Sequence, residues 1–285
     1  MLGLPTTEDS VDPRDKIVVI TGATSGLGRA AALDFAQRGA RVFVVGRDAA
    51  RAEETRRMIV EAKGRAEVAL GDVSTKEGVR AIAASILSAT DRVDVLLNNA
   101  GGSFKTSEST AEGLESTYAL NTLGAFRLEQ ALHPALFSAH GRVVNVATGF
   151  LDRFPVDVED LPRPKAFSSM TQYGRAKLAS VMMTVEQSAR LPGITAVSVH
   201  PGIILGTNFG GGQPKAMQVL MGPVLRGIGL ACTLEEAVRR FRVACFGDDV
   251  ASGSYVVKGV AAPLPKQAND GAVRARVWSL LEASA

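Results

Sequence analysis

The apolar run Lys16-Ile-Val-Val-Ile20 passes without a break into Thr21-Gly-Ala-Thr-Ser-Gly-Leu-Gly28, and an alanine-rich stretch follows to Arg38. Few folds accommodate a β-branched strand that enters three closely spaced glycines and leaves as a helix. Glycine lets the backbone turn tightly and approach a ligand where a Cβ would clash. The helix N-terminus that follows presents unpaired N–H groups and the positive end of its dipole to a phosphate. Residues 16–38 therefore read as the strand, turn and helix of a dinucleotide-binding unit, with Gly22, Thr24, Ser25, Gly26, Leu27 and Gly28 as the cradle. The spacing is G-xxx-G-x-G, not the common G-x-G-x-x-G.

The same alternation runs through the rest of the chain. Apolar runs predict strands at 16–21, 41–45, 66–70, 93–97, 142–147, 194–199 and 254–257. Helical periodicity predicts helices near 28–38, 49–63, 75–89, 111–138, 171–190, 233–246 and 270–283. Strands separated by helices imply right-handed crossovers. The expected fold class is α/β: a single-domain, doubly wound parallel sheet, Rossmann-like, with helices on both faces. Ser74-Thr-Lys-Glu77 reads as a capping box for the third helix.

Residues 1–14 read as a flexible leader and 15–285 as the one domain, whose rhythm breaks twice. Residues 150–170 carry Pro155, Pro162, Pro164 and a cluster of acids, and read as an insertion loop. Residues 202–230 hold eight glycines among apolar side chains such as Met217, Leu220 and Ile228, and read as a lid over a binding site.

No apolar run approaches ~18 residues, which argues against a membrane-spanning helix, and Glu8, Asp9 and Asp12 are unlike a signal peptide. Cys232 and Cys245 fit no metal motif and read as buried free thiols in a reducing cytoplasm. The 32 basic and 29 acidic residues are interspersed, with no basic stripe for nucleic acid.

The second strand ends in Gly46-Arg47-Asp48. An NAD site wants a carboxylate at this strand end to accept from the ribose 2′-hydroxyl. Glycine stands there instead, followed by Arg47, whose guanidinium fork suits a 2′-phosphate. Asp48 reads as the N-cap of the next helix. The expected cofactor is NADP(H), with a merely solvated Arg47 as the competing reading.

Beyond this point the chain resembles the short-chain dehydrogenase/reductase family over nearly all of residues 14–285. Its motifs occur in the family's order: TGATSGLG at 21–28, Asn98-Asn-Ala-Gly101, the strand Arg142-Val-Val-Asn-Val-Ala-Thr148, and Tyr173-Gly-Arg-Ala-Lys177 followed by His200-Pro-Gly202. The resemblance implies that Asn98, Asn99, Ala100 and Gly101 shape the turn beside the cofactor's ribose. It also implies that Asp72 and Val73 border the adenine, although Asp72 reads equally as a loop cap. Pro201 and Gly202 would meet the nicotinamide side, with Thr207 or the Ile204 backbone as the carboxamide contact. Thr207 lies one residue further from the Pro-Gly pair than in the commoner pattern.

Tyr173 and Lys177 are four apart on an expected helix and so share a face. A free phenol titrates near ~10, and an ammonium within ~4–6 Å is expected to lower that value by ~1–3 units. Tyr173 then exchanges a proton with a carbonyl or alcohol oxygen while hydride moves to or from the nicotinamide. By resemblance Lys177 also bonds the nicotinamide ribose, and Asn121 holds a water that links Lys177 to solvent through a local helix distortion. Thr148 stands where the family normally has Ser. The resemblance gives it the task of donating to the substrate oxygen, with a methyl group that stiffens χ1.

Tyr173 lies 25 positions after Thr148, further than in most family members. With Gly253-Ser-Tyr255 and Arg276-Val-Trp278, that length resembles the branch of retinol dehydrogenases and protochlorophyllide reductases. The inserted loop is expected to weaken the usual tetramer, leaving a monomer or homodimer. Phe104, Phe150 and Phe154 with the apolar lid suggest a lipophilic carbonyl or alcohol substrate, though the same side chains also suit a core. Reduction is favoured over oxidation by the inferred cofactor. The competing functions are an NADP-binding regulatory protein without turnover and a carbon–carbon double-bond reductase.

Overall fold

The computed structural model describes residues 11–204 and 231–285. Residues 1–10 of the expected leader and 205–230 of the expected lid, Thr207 included, lie outside the described residues.

The first half alternates as expected: β1 (Ile17–Thr21), α1 (Gly26–Gln37), β2 (Arg41–Gly46), α2 (Ala49–Glu61), β3 (Arg65–Leu70), α3 (Lys76–Ala89) and β4 (Val95–Asn98). A helical run follows as α4 (Ser116–Tyr118), a π-helical turn (Ala119–Leu123) and α5 (Gly124–Ser138). Then come β5 (Arg142–Val146), α6 (Ser169–Arg190), β6 (Thr195–His200) and β7 (Ile203–Ile204). The chain ends with β8 (Ala231–Cys232), α7 (Leu234–Phe246), β9 (Tyr255–Val257), β10 (Val260–Ala262) and α8 (Gly271–Ser284).

Eight strands form one sheet in the order β10-β9-β6-β5-β4-β1-β2-β3. Every neighbouring pair is parallel except β9 with β10. Successive side chains point to opposite faces, and helices cover both. Val18 and Ile20 of β1 pack with Phe35 of α1 and Phe241 of α7. Val19 and Phe43 pack on the other side with Ile82 and Ile86 of α3 and Leu132 of α5. Because β1 neighbours both β2 and β4, the strand order reverses there, and a crevice opens at the C-terminal ends of β1 and β4.

A third apolar cluster joins α6 to α8. Trp278 of α8 meets Phe126 of α5 edge-on at 5.1 Å between ring centres, and Arg274 pairs with Glu186 of α6 at 3.0 Å. The chain's own α8 and the inserted loop both pack on α6. Among the described residues no helix is long and apolar enough to cross a membrane.

Two local expectations, a helix start and a helix cap, are corrected, and the distortion expected at Asn121 is a π turn. The helix expected from 111 begins at Ser116, because the buried Glu115 carboxylate accepts from the Thr117 and Tyr118 amides, at 2.8 Å each, and starts it there. It then widens into the π turn where Asn121 donates to the Thr117 carbonyl at 2.8 Å and competes with the helix ladder. The cap of α3 is Thr75, accepting from the Gly78 amide at 3.0 Å, because Ser74 is engaged by Asp72. A complete capping box occurs instead at Thr233 and Glu236 of α7.

Candidate active site

The first glycine turn lies in the crevice, stitched to β4. Asn99 donates from Nδ2 to the Thr21 carbonyl at 2.8 Å, and the Ala100 amide donates to Thr21 Oγ1 at 2.9 Å. A Cβ on Gly28 would fall 2.3 Å from the Gly22 carbonyl oxygen and 2.5 Å from Asn99 Nδ2, so only glycine fits. Ser25 is the N-cap of α1 yet makes no side-chain cap bond. Gly26, Leu27 and Gly28 form the first turn, whose amides point outward from the helix end. Arg29 holds the Thr24 carbonyl at 2.6 Å. Bare first-turn donors beside a glycine cradle fit a dinucleotide phosphate.

At the end of β2 a Cβ on Gly46 would meet the Thr24 methyl at 2.4 Å, which excludes any acidic side chain there without a shift. Asp48 caps α2, accepting from the Arg51 amide at 3.0 Å. Arg47 keeps 77% of its side chain exposed and reaches Asp72 at 3.3 Å. Asp72 accepts from the Ser74 amide at 2.9 Å and its hydroxyl at 2.7 Å, so its loop-capping role is realised. Burial alone would raise its carboxyl, but Ser74 and Arg47 hold it below the usual carboxylate range. Val73 is buried beside it.

Tyr173, Lys177, Thr148 and Asn121 converge where β4, β5 and α6 meet. Thr148 is the side chain whose hydrogen-bonding influence reaches the Tyr173 phenol. Lys177 is buried and donates from Nζ to the Val146 carbonyl at 2.7 Å, with the Tyr173 ring centre 6.0 Å away. Asn121 is buried in the π turn, donates to the Gly102 carbonyl at 2.7 Å and accepts from the Gly102 amide at 3.2 Å. A Cβ on Gly101 would meet Asn121 Oδ1 at 2.8 Å and Lys177 Nζ at 3.1 Å, so these two polar groups flank that glycine.

The electrostatics differ from the expectation. Burial pushes the Tyr173 phenol well above its ordinary value, and the hydrogen bond with Thr148 pulls the other way. Burial pushes Lys177 down to about 8. Burial outweighs any lowering of the phenol, and the Lys177 Nζ donates to the Val146 carbonyl.

Pro201 accepts from Arg240 at 2.7 Å and from the Cys232 thiol at 3.3 Å. Gly202 has φ +108°, and Ile204 pairs with Cys232 in the β7–β8 ladder. Cys232 and Cys245 are buried free thiols. Of the three phenylalanines, Phe150 is exposed, Phe104 is partly buried, and Phe154 lies against Gly174.

Two residues near the site belong to motifs that assign them no role. Tyr255 donates to the Thr148 carbonyl at 2.7 Å from β9. His200, at the end of β6, has a buried Nδ1 without a hydrogen-bond partner among the described residues. Burial, helped by Arg240 and Lys258, lowers its pKa to about 4.

The short chain dehydrogenase family profile matches residues 16–154. A candidate daunorubicin C-13 ketoreductase from Streptomyces is 32% identical, over 95% of this chain and 91% of the relative. Retinol dehydrogenase 14 of mouse is 33% identical, over 94% of this chain and 85% of the relative. A solved short-chain dehydrogenase/reductase of unknown function from Caenorhabditis elegans, crystallised with cofactor, is 26% identical at TM-score 0.69, covering 90% of this chain and 99% of that one. Relatives matched over almost their full length, on a doubly wound sheet with the motifs in order, place the chain: it belongs to the short-chain dehydrogenase/reductase family of oxidoreductases.

Proposed function

We propose that the chain is an NADP-dependent oxidoreductase that interconverts the carbonyl and alcohol of a lipophilic small molecule, working chiefly as a reductase. The observation that carries this is the convergence of Thr148, Tyr173 and the buried Lys177, whose Nζ lies 6.0 Å from the Tyr173 ring centre. The nicotinamide supplies the hydride. Tyr173 gives its proton to the substrate oxygen, and Thr148 holds that oxygen with a second donor as charge develops. Lys177, titrating near 8, stands ready to support the phenol and the nicotinamide ribose. Asn121 braces Gly102 beside them.

The cofactor's phosphates are assigned to the turn Gly22, Thr24, Ser25, Gly26, Leu27 and Gly28, and its 2′-phosphate to Arg47. The adenine is assigned to Asp72 and Val73, the ribose turn to Asn99, Ala100 and Gly101, and the nicotinamide to Pro201, Gly202 and Ile204 or Thr207. Gly46 supports NADP over NAD, since no carboxylate stands where a 2′-hydroxyl would be read. The exposed Phe150 near the site supports a lipophilic substrate. Two buried free thiols fit a reducing, cytoplasmic compartment.

The test is NADPH oxidation against a panel of aldehydes, ketones and quinones, with Tyr173→Phe as the blank. Turnover on at least one carbonyl, reduced roughly 100-fold or more in the variant, is the expected result. Equal rates in protein and blank would overturn the catalytic assignment, and NADPH binding without any turnover would favour a regulatory protein.

A further inference from the structure

The inserted loop is gripped by three residues that flank Tyr173 on α6. Gln172 donates from its buried side chain to the Leu161 carbonyl at 2.7 Å. Arg175 donates to the Pro155 carbonyl at 3.2 Å and pairs with Asp160 at 2.9 Å. Between them, Gly174 lies directly under Phe154. A Cβ there would stand 2.2 Å from Phe154 Cγ, 2.3 Å from Cδ2 and 2.7 Å from Cβ. The ring therefore occupies space that exists only because residue 174 has no side chain.

Thr148 and Phe154 are the two ends of one short path, through Gly149, Phe150 and a single 3₁₀ turn at Leu151–Arg153. Both ends bear on the same stretch of α6: Thr148 on Tyr173, and Phe154 on Gly174. Within the path Phe150 holds φ 58°, a left-handed conformation that a bulky residue adopts only when its surroundings enforce it. The geometry is a closed ring whose far clasp is the Phe154–Gly174 contact.

We propose that Phe154 and Gly174 are positioning residues: the ring seated on the glycine fixes segment 148–154 and thereby sets the Thr148 hydroxyl against the Tyr173 phenol. This rests on the reading of Thr148 and Tyr173 as the reacting pair. A small displacement of one reacting group costs far more in rate than in binding, so the contact acts on kcat and leaves cofactor affinity alone.

The test is a double-mutant cycle of Gly174→Ala and Phe154→Gly, read by kcat on a carbonyl from the panel, by NADPH titration, and by amide hydrogen exchange over 148–162. Gly174→Ala is expected to lower kcat roughly tenfold or more, with NADPH affinity within about twofold of the parent, and to speed exchange across the loop. In the Phe154→Gly background the added methyl meets no ring, so Gly174→Ala should cost nothing further. Parental kcat and exchange in Gly174→Ala, or an equal loss in both backgrounds, would overturn the proposal. Should Gly174→Ala not fold, Phe154→Gly alone carries the test: kcat must fall with NADPH affinity unchanged, and an unchanged kcat overturns it. Exchange needs no turnover, so a failed clasp is distinguishable from a failed assignment of Tyr173.

Discussion

The Nζ of Lys177 donates to the carbonyl oxygen of Val146 at 2.7 Å, which ties α6 to the end of β5, and lies 6.0 Å from the Tyr173 ring centre. A buried ammonium satisfied by one carbonyl is costly, and its pKa falls to about 8 against an ordinary value of about 10.4. The unfolded chain therefore binds more protons than the folded one between those two values, and stability rises with pH across that window. Above about 10.4 the penalty is gone; below about 8 it is present in full. The size is on the order of 3 kcal/mol. Urea melts of the cofactor-free protein at pH 7.5, 9 and 10 should show this rise, and Lys177→Met should flatten it. A variant with the parental slope would show that Lys177 is not the titrating group.

Thr148 acts on the Tyr173 phenol through its side chain, and its carbonyl accepts from Tyr255 at 2.7 Å. Burial and Asp152 push the Tyr255 phenol up to about 12, so it stays a donor across the working range. Thr148→Ala removes the proposed donor to the substrate oxygen and should lower kcat on the order of 100- to 1000-fold. Thr148→Ser keeps the hydroxyl and should stay within about tenfold of the parent. Steady-state kinetics on both variants decides the matter, because full turnover in the alanine variant would remove Thr148 from the mechanism.

The long strands are legible in the sequence because a parallel sheet covered on both faces demands continuous β-branched runs, as in Ile17–Thr21 and Arg142–Val146. The strands β7, β8 and β10 escape because two or three residues carry no periodicity, whereas β9 falls within the strand expected at 254–257. At the site, the motifs place Tyr173, Lys177, Thr148 and Asn121 near one another. Their electrostatics are not legible in the same way. The Lys177 partner is a backbone carbonyl, which no side-chain pattern can announce. The Tyr255 contact depends on β9 lying beside β6, a tertiary fact. The cap of α3 falls on Thr75 because Asp72 competes for Ser74, a contest between adjacent side chains that spacing alone does not decide.

Trp278 couples α8 to the helices beneath it. Its ring meets Phe126 edge-on, its indole N–H donates to Glu282 at 2.6 Å, and Arg190 lies over its face. Trp278 is 4% exposed, so Trp278→Ala should cost about 3–5 kcal/mol in chemical denaturation. With α8 packed on α6, the parent should be a monomer or homodimer in light scattering at micromolar concentration. A tetramer would show that subunits pack despite the covering helix.

In the proposed NADP reading, cofactor choice turns on Arg47. It is mostly exposed, and among the described residues it pairs with Asp72 at 3.3 Å, a weak surface pair that leaves most of the guanidinium fork open. A charge-assisted bond to a 2′-phosphate contributes about 1.5–3 kcal/mol, a factor on the order of 10 to 100 in affinity. Arg47→Ala should weaken NADPH by that factor and leave NADH unchanged, since NADH carries no 2′-phosphate to lose. Restoring a carboxylate by Arg47→Asp should go further and reverse the preference, by repelling the phosphate and accepting from a 2′-hydroxyl. Fluorescence titration of both cofactors against the three proteins measures this. Equal weakening of NADPH and NADH in Arg47→Ala would mean that the arginine shapes the loop, and the NADP assignment would then have to be given up.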